Sequence, residues 1–210
     1  MKALIYQGGW DGHTPDACAK TIATALKRKK VSVTVSDTLD CLNKISDLRK
    51  YDVIIPLWTM GGMTPKQNKN LLTAVRGGVG LAGFHGGMGD SMRGSLHYQW
   101  MTGGQFLEHP YVGKYEVYLT ETANEITKGM PTRFEYDSEQ YYMMVDPAVN
   151  VLAETLYDHD GHTVAMPVIW TKTWGKGRVF YSALGHVAKE FKTYKHVLDM
   201  TIRGILWAAK

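Results

Sequence analysis

An α/β fold organised around a parallel sheet is predicted for this 210-residue chain. Three observations predict it. Strand-like and helix-like segments alternate through the first ninety residues, the signature of parallel strands joined by right-handed crossovers. Two of those helices open on the same start signal, Thr-Pro, at Thr14-Pro15 and Thr64-Pro65. The apolar run Val79-Gly80-Leu81-Ala82 leads straight into Gly83-Phe84-His85-Gly86-Gly87. Small residues on either side of one functional side chain are what a strained strand-to-helix elbow needs.

Each element follows from its own pattern. Leu4–Tyr6 is a buried strand closed by Gly8-Gly9, and a helix runs from Pro15 to about Lys29. Val31–Val35 alternates strictly, as a strand with two unlike faces does. A short helix near Leu39–Leu48 precedes the continuous apolar strand Val53–Leu57. Thr64 and Gln67 then form a capping-box pair for a helix that Gly77-Gly78 stops after Arg76. After Asp90 the rhythm changes. Residues 91–101 read as helix and Gly103–Tyr111 as loop, with strands at Tyr115–Thr120 and Val149–Thr155. Thr163–Trp170 and Arg178–Ser182 form a hairpin about Trp174–Gly177, and an amphipathic helix spans about Thr193–Ala209. No internal repeat or linker interrupts the chain, so residues 1–210 are expected to form one domain.

Composition narrows the function. A net charge of +4 comes from scattered cations, and the run Lys27–Lys30 falls at a helix C-terminus, where it favours the macrodipole. Neither nucleic acid nor a membrane surface is therefore an expected partner. Cys18 and Cys41 are too few for a disulfide framework, and no apolar run approaches the roughly 20 residues of a spanning helix. The first residues enter a strand directly, so a cytoplasmic protein is expected. The glycines around His85 lack the spacing of a dinucleotide fingerprint or a phosphate loop. Both cysteines fall in or beside helices, which argues against a thiol nucleophile.

In an open α/β sheet ligands bind beyond the carboxyl ends of the strands. His13, Trp10, Trp58, His85, Asp90 and His186 all follow predicted strands. Histidine has no packing advantage on a strained elbow, so His85 points to proton transfer or metal ligation. His13 and His186 are candidate partners, with Asp90 or Glu139 as the acid. The amides of Gly86 and Gly87 could hold an oxyanion. Trp10 and Trp58 offer flat faces on which sugar rings stack. His13, His85 and His186 with one carboxylate would also satisfy zinc, manganese or iron. Hydrogen bonding to sugar hydroxyls would explain the same imidazoles without a metal. His97 reads as a surface or satisfied core residue of a helix, and His196 as a helix-surface residue.

The motifs Gly83–Asp90, Gly103-Gly104-x-Phe106-x-x-His109-Pro110, Glu139-Gln140-Tyr141-Tyr142 and Leu184-Gly185-His186 occur together and in order. In this the chain resembles the ThuA-like, trehalose-utilisation family of the class I glutamine amidotransferase-like superfamily, over nearly its whole length. The resemblance implies a flavodoxin-like, doubly wound fold. Its sheet would be mostly parallel with an antiparallel extension, and helices would cover both faces. His109, a loop histidine of the same standing as His13 and His186, and Gln140 lie in these motifs and join the candidate ligand-binding residues. The resemblance also implies loss of amidotransferase activity, because His85 stands where the superfamily carries cysteine. The implied role is carbohydrate metabolism: hydrolysis, elimination or isomerisation of a keto-glycoside. The alternative is a non-catalytic sugar-binding or sensing module on the same fold, and homo-oligomerisation stays open.

Overall fold

The computed structural model describes residues 1–209, apart from the side chain of His159. Strand β1 (Lys2–Gly9) leads through a 3-10 turn at Asp11–His13 into helix α1 (Pro15–Arg28) and strand β2 (Ser32–Ser36). A second 3-10 turn and the single-turn helix α2 (Ile45–Leu48) replace the one short helix expected over 39–48. Then come β3 (Val53–Thr59), α3 (Pro65–Arg76), β4 (Gly80–Phe84), α4 (His85–Gly89) and α5 (Leu96–Thr102). The second half is largely strand: β5 (Gly104–Leu119), β6 (Arg133–Val145), β7 (Asn150–His159), β8 (His162–Trp174) and β9 (Gly177–Ser182). Helices α6 (Glu190–Thr193) and α7 (Lys195–Ala208) close the described chain.

All nine strands join one sheet in the order β2-β1-β3-β4-β9-β8-β7-β5-β6. The four pairings from β2 to β9 are parallel and the four from β9 to β6 are antiparallel. The fold is thus α/β on a mixed sheet. The antiparallel strands are not an extension of a mostly parallel sheet but half of its ladder. Phe180 and Tyr181, adjacent on β9, face opposite sides of the sheet. α7 packs on Phe180 through Gly204, while α4 meets Tyr181 at Gly89, so both faces carry helices.

Several local expectations are corrected. Gly103–Tyr111 is not a loop, because β5 starts at Gly104 and carries two register breaks between Phe106 and Tyr111. The helix expected over 91–101 begins only at Leu96, capped by Ser95, whose hydroxyl accepts from the Tyr98 amide. Thr14 is not an N-cap by side chain: it adopts φ +46°, and its hydroxyl accepts from the Ala188 amide across the fold. Thr64, in contrast, forms the complete capping box with Gln67. Replacing Thr64 with Ala is expected to lower unfolding free energy by about 1 kcal/mol in a urea titration. Among the described residues, no helix is long and apolar enough to cross a membrane.

The β5–β6 ribbon positions the site. β6 is the last strand of the sheet, yet Phe134, Tyr136 and Ser138 reach His196 and Glu190, while Glu139 and Tyr141 reach His85. The ribbon therefore curls back over the carboxyl ends of the parallel strands. His196 is for this reason half-buried against Phe134, not on a free helix surface.

Candidate active site

His85 stands on a strained turn. The chain leaves β4 extended at Phe84 and enters α4 with His85 at φ +45°, a conformation uncommon for any residue but glycine. The strain holds the imidazole inside the protein, where it is 2 % exposed. Its Nδ1 lies 2.8 Å from the Ala183 carbonyl, which can only accept, so Nδ1 carries a proton. Nε2 then faces the Glu139 carboxylate at 3.1 Å. That contact is favourable only when a further proton lies between the two groups or a cation replaces it.

Glu139 is the hub of the cluster. Besides His85 it lies 3.5 Å from His186 Nδ1 and 3.8 Å from His109 Nε2. Burial pushes its pKa up, but the His85 hydrogen bond and the surrounding imidazoles outweigh this and hold it at about 2. His13, on the turn after β1, completes the group, with Nδ1 2.7 Å from the Thr59 hydroxyl. Its ring centre lies 4.8 Å from that of His85 and 5.1 Å from that of His186. The rings of His85 and His186 stack at 5.0 Å, and Tyr141 stacks on the other side of His85 at 4.1 Å. One ligand atom from each of His13, His85, Glu139 and His186 lies within 4.8 Å of the others. A cavity of about 10 Å³, the size of one water, borders all three histidines.

Burial and the neighbouring imidazole charges lower the pKa of His13 to about 3, and burial also lowers that of His186. Both are neutral at pH 7 and carry a lone pair. The linkage sign follows from this. Between about pH 3 and 6.5 the unfolded chain protonates His13 and the folded chain does not, so stability falls as pH drops below 6.5. Below about pH 4.5 the loss steepens as Glu139 is titrated toward its depressed value. With solvent screening discounted, about 1–2 kcal/mol should go between pH 7 and 5, or roughly 3–6 °C in Tm. Calorimetric melts should show this, and His13→Gln should flatten the profile in that window.

The structure brings together His13, His85, His186 and Glu139, with Trp10 and His109 beside them. The Trp10 ring is 48 % exposed and meets His13 edge-on at 4.7 Å. Other candidates lie elsewhere. Asp90 is buried, held by Arg93 at 2.6 and 2.7 Å, and stands outside the His13–His85–Glu139–His186 group. Gln140 points to the opposite face of β6 from Glu139, where its amide donates to Thr155 Oγ1 and the Leu156 carbonyl. Trp58 packs over Gly8 and Gly61, away from the imidazoles. Gly86 and Gly87 are buried at the start of α4, where a side chain on Gly86 would meet His13 and one on Gly87 the Leu57 backbone. Burial pushes the Cys18 thiol up to about 11, far from a reactive thiolate.

Residues not foreseen from the sequence support the cluster. Glu190 accepts from Tyr136 Oη, from Ser138 Oγ at 2.8 Å and from the His186 amide at 2.9 Å. Tyr136 Oη in turn accepts from the Gly185 amide at 3.0 Å. One carboxylate thereby registers the His186 loop against the strand carrying Glu139. The available signal was spacing: Tyr141 lies two residues from Glu139 on one face of a strand, and Thr59 directly follows the apolar run of β3.

Residues 2–208 match the family model ThuA, trehalose utilisation. No curated protein matches the chain. Among solved structures, a protein described as ThuA-like from Bacteroides uniformis is 20 % identical, with TM-score 0.81, over 99 % of this chain and 91 % of that one. A cytoplasmic protein of Salmonella typhimurium is 14 % identical, with TM-score 0.70, over the full length of both. A β-galactosidase of Bacillus circulans sp. alkalophilus is 14 % identical, with TM-score 0.60, over 99 % of this chain but 30 % of that enzyme. At these identities the structural likenesses establish the fold alone.

Proposed function

From the premise that this chain belongs to the ThuA family of trehalose utilisation, we propose that it is an enzyme acting on an oxidised sugar at the His13–His85–Glu139–His186 cluster. The observation that carries the proposal is the buried carboxylate shared among imidazoles, two of which are kept neutral. A binding module needs hydrogen-bond partners, but it has no use for a buried group of proton carriers with displaced pKa values.

The chemistry follows from the proton inventory. A ketone in a keto-glycoside acidifies the neighbouring C–H. His186, neutral and more open than His13, takes that proton. The His85–Glu139 pair holds a shared proton, and it returns one to the developing oxygen or the leaving group. Trp10 offers its exposed face to the sugar ring. The route, whether elimination, hydrolysis or isomerisation, depends on which bond the enolate breaks. We propose as the alternative that the same four side chains hold a divalent cation, zinc, manganese or iron, which would replace the proton between His85 and Glu139 and make His186 a ligand instead of the base. Bonds of about 2.0–2.2 Å would require the ligand atoms to draw in from their present spread. Such a cation would polarise the ketone. The cytoplasm, with both cysteines reduced, is the proposed setting. Glutaminase activity is not expected, and turnover should be indifferent to iodoacetamide.

Incubation with 3-keto-disaccharides, followed by chromatography, should show substrate consumption that stops in the Glu139→Gln variant. Elemental analysis of the purified protein should find a divalent metal near one per chain, lost in that variant. A full panel of keto-disaccharides left intact would overturn the substrate class. Full turnover after exhaustive chelation would remove the metal and leave an organic acid/base site.

A further inference from the structure

A second cavity is lined by none of the four cluster side chains. A groove of about 740 Å³ opens between the end of α1, the loop at Gly129–Pro131 and the corner where α6 meets α7. Its floor is apolar: Met130, Phe191, Leu198 and Ile202. Its rim is cationic: Arg28 and Lys29 at the end of α1, and Lys192 and Lys195 at the α6–α7 corner. The only acid in the lining is Asp199, which Arg203 holds at 2.8 Å. Among the described residues, none of the four rim cations forms an ion pair. His196, also in the lining, has a buried Nε2 without a hydrogen-bond partner.

The basic run ending α1 reads from sequence as a solvated helix terminus. The fold gives part of it another role, by setting its cations on the rim of an apolar trough with two more. The volume is that of a small-molecule site. A floor that rejects charge, under a rim that is all positive, selects for a ligand with both properties. We propose that this groove binds a small organic anion, an apolar body carrying a phosphate, sulfonate or carboxylate. The site stands whether or not the imidazole cluster acts on a sugar. It does adjoin that cluster. Phe191, on the floor, meets Phe84, the residue before His85, at 5.0 Å, and the preceding residue Glu190 holds the His186 amide. An occupant would therefore rest on the helix that positions His186.

The test uses 8-anilinonaphthalene-1-sulfonate as probe on the full protein, with its neutral relative N-phenyl-1-naphthylamine and inorganic phosphate as controls. The anionic probe is expected to bind one per chain and to weaken at least tenfold in K192E/K195E. The neutral dye and phosphate alone should each bind at least tenfold more weakly than the sulfonate. Both lysines are exposed, so the variant should melt as the parent does. In the unmutated protein the His196 ring Nε2 resonance should shift on saturation, which locates the probe independently of any variant. Equal binding of the neutral dye, or anionic binding untouched by charge reversal without a His196 shift, would overturn the proposal. A hexaglutamate peptide binding more tightly than the sulfonate would replace it with a protein-docking surface.

Discussion

His85→Asn should fold normally and lose turnover on a keto-disaccharide by on the order of 10²–10⁴, the range for removing a positioned acid or base. Asparagine is the informative replacement because it tolerates the left-handed conformation that His85 adopts at φ +45°. The amide could still donate to the Ala183 carbonyl while removing the proton shared with Glu139. A variant with native melting behaviour and unimpaired turnover would show that the elbow imidazole takes no part in the reaction. The sign of the accompanying pH change is also fixed. Losing the His85 hydrogen bond removes one of the influences holding Glu139 low, so its carboxyl should titrate at higher pH.

The second large effect is structural. In Gly86→Ala the new methyl would collide with His13 Cε1, lie 2.7 Å from His13 Nδ1, and come within 3.1 Å of Tyr141 Oη. His13 cannot give way cheaply, because Thr59 holds its Nδ1 and the rings of His85 and His186 pack against it. Overpacking of this kind should lower stability by roughly 1–3 kcal/mol. It should also displace the imidazole, so metal retention and turnover fall together even at temperatures where the variant stays folded. Denaturant titration and elemental analysis on one preparation would separate the two effects. A stable variant with a normal metal content would show that Gly86 is free to carry a side chain.

How much of this was legible in sequence depended on where each signal came from. The parallel half announces itself locally, because β1, β3 and β4 are apolar runs, β2 alternates, and α3 carries its own capping box and glycine stop. The β5–β6 ribbon does not. Glu108, His109 and Pro110 interrupt the alternation of β5 at its register breaks, and Glu135 and Asp137 give β6 a charged outer face. Glu139 was recognisable as an acid among aromatics, but its partners lie 54 and 47 positions away along the chain. Asp90 shows the opposite case: it lies close after the elbow in sequence, yet its partner is Arg93, three residues on. Proximity in sequence is a poor guide where a strand arrives from the far edge of the sheet.

The curled ribbon also sets a timetable for synthesis. His13 and His85 leave the ribosome early, on segments that can form a parallel layer among themselves. Their carboxylate arrives only when β6 has been made, and that ribbon gains its place in the sheet only once β7, β8 and β9 connect it to β4. Such long-range closures are slow steps in folding. The histidine–carboxylate cluster is therefore assembled last. A chain interrupted before residue 190 lacks the Glu190 clamp, and one interrupted before residue 186 lacks His186 as well, so fragments and stalled products should be inert.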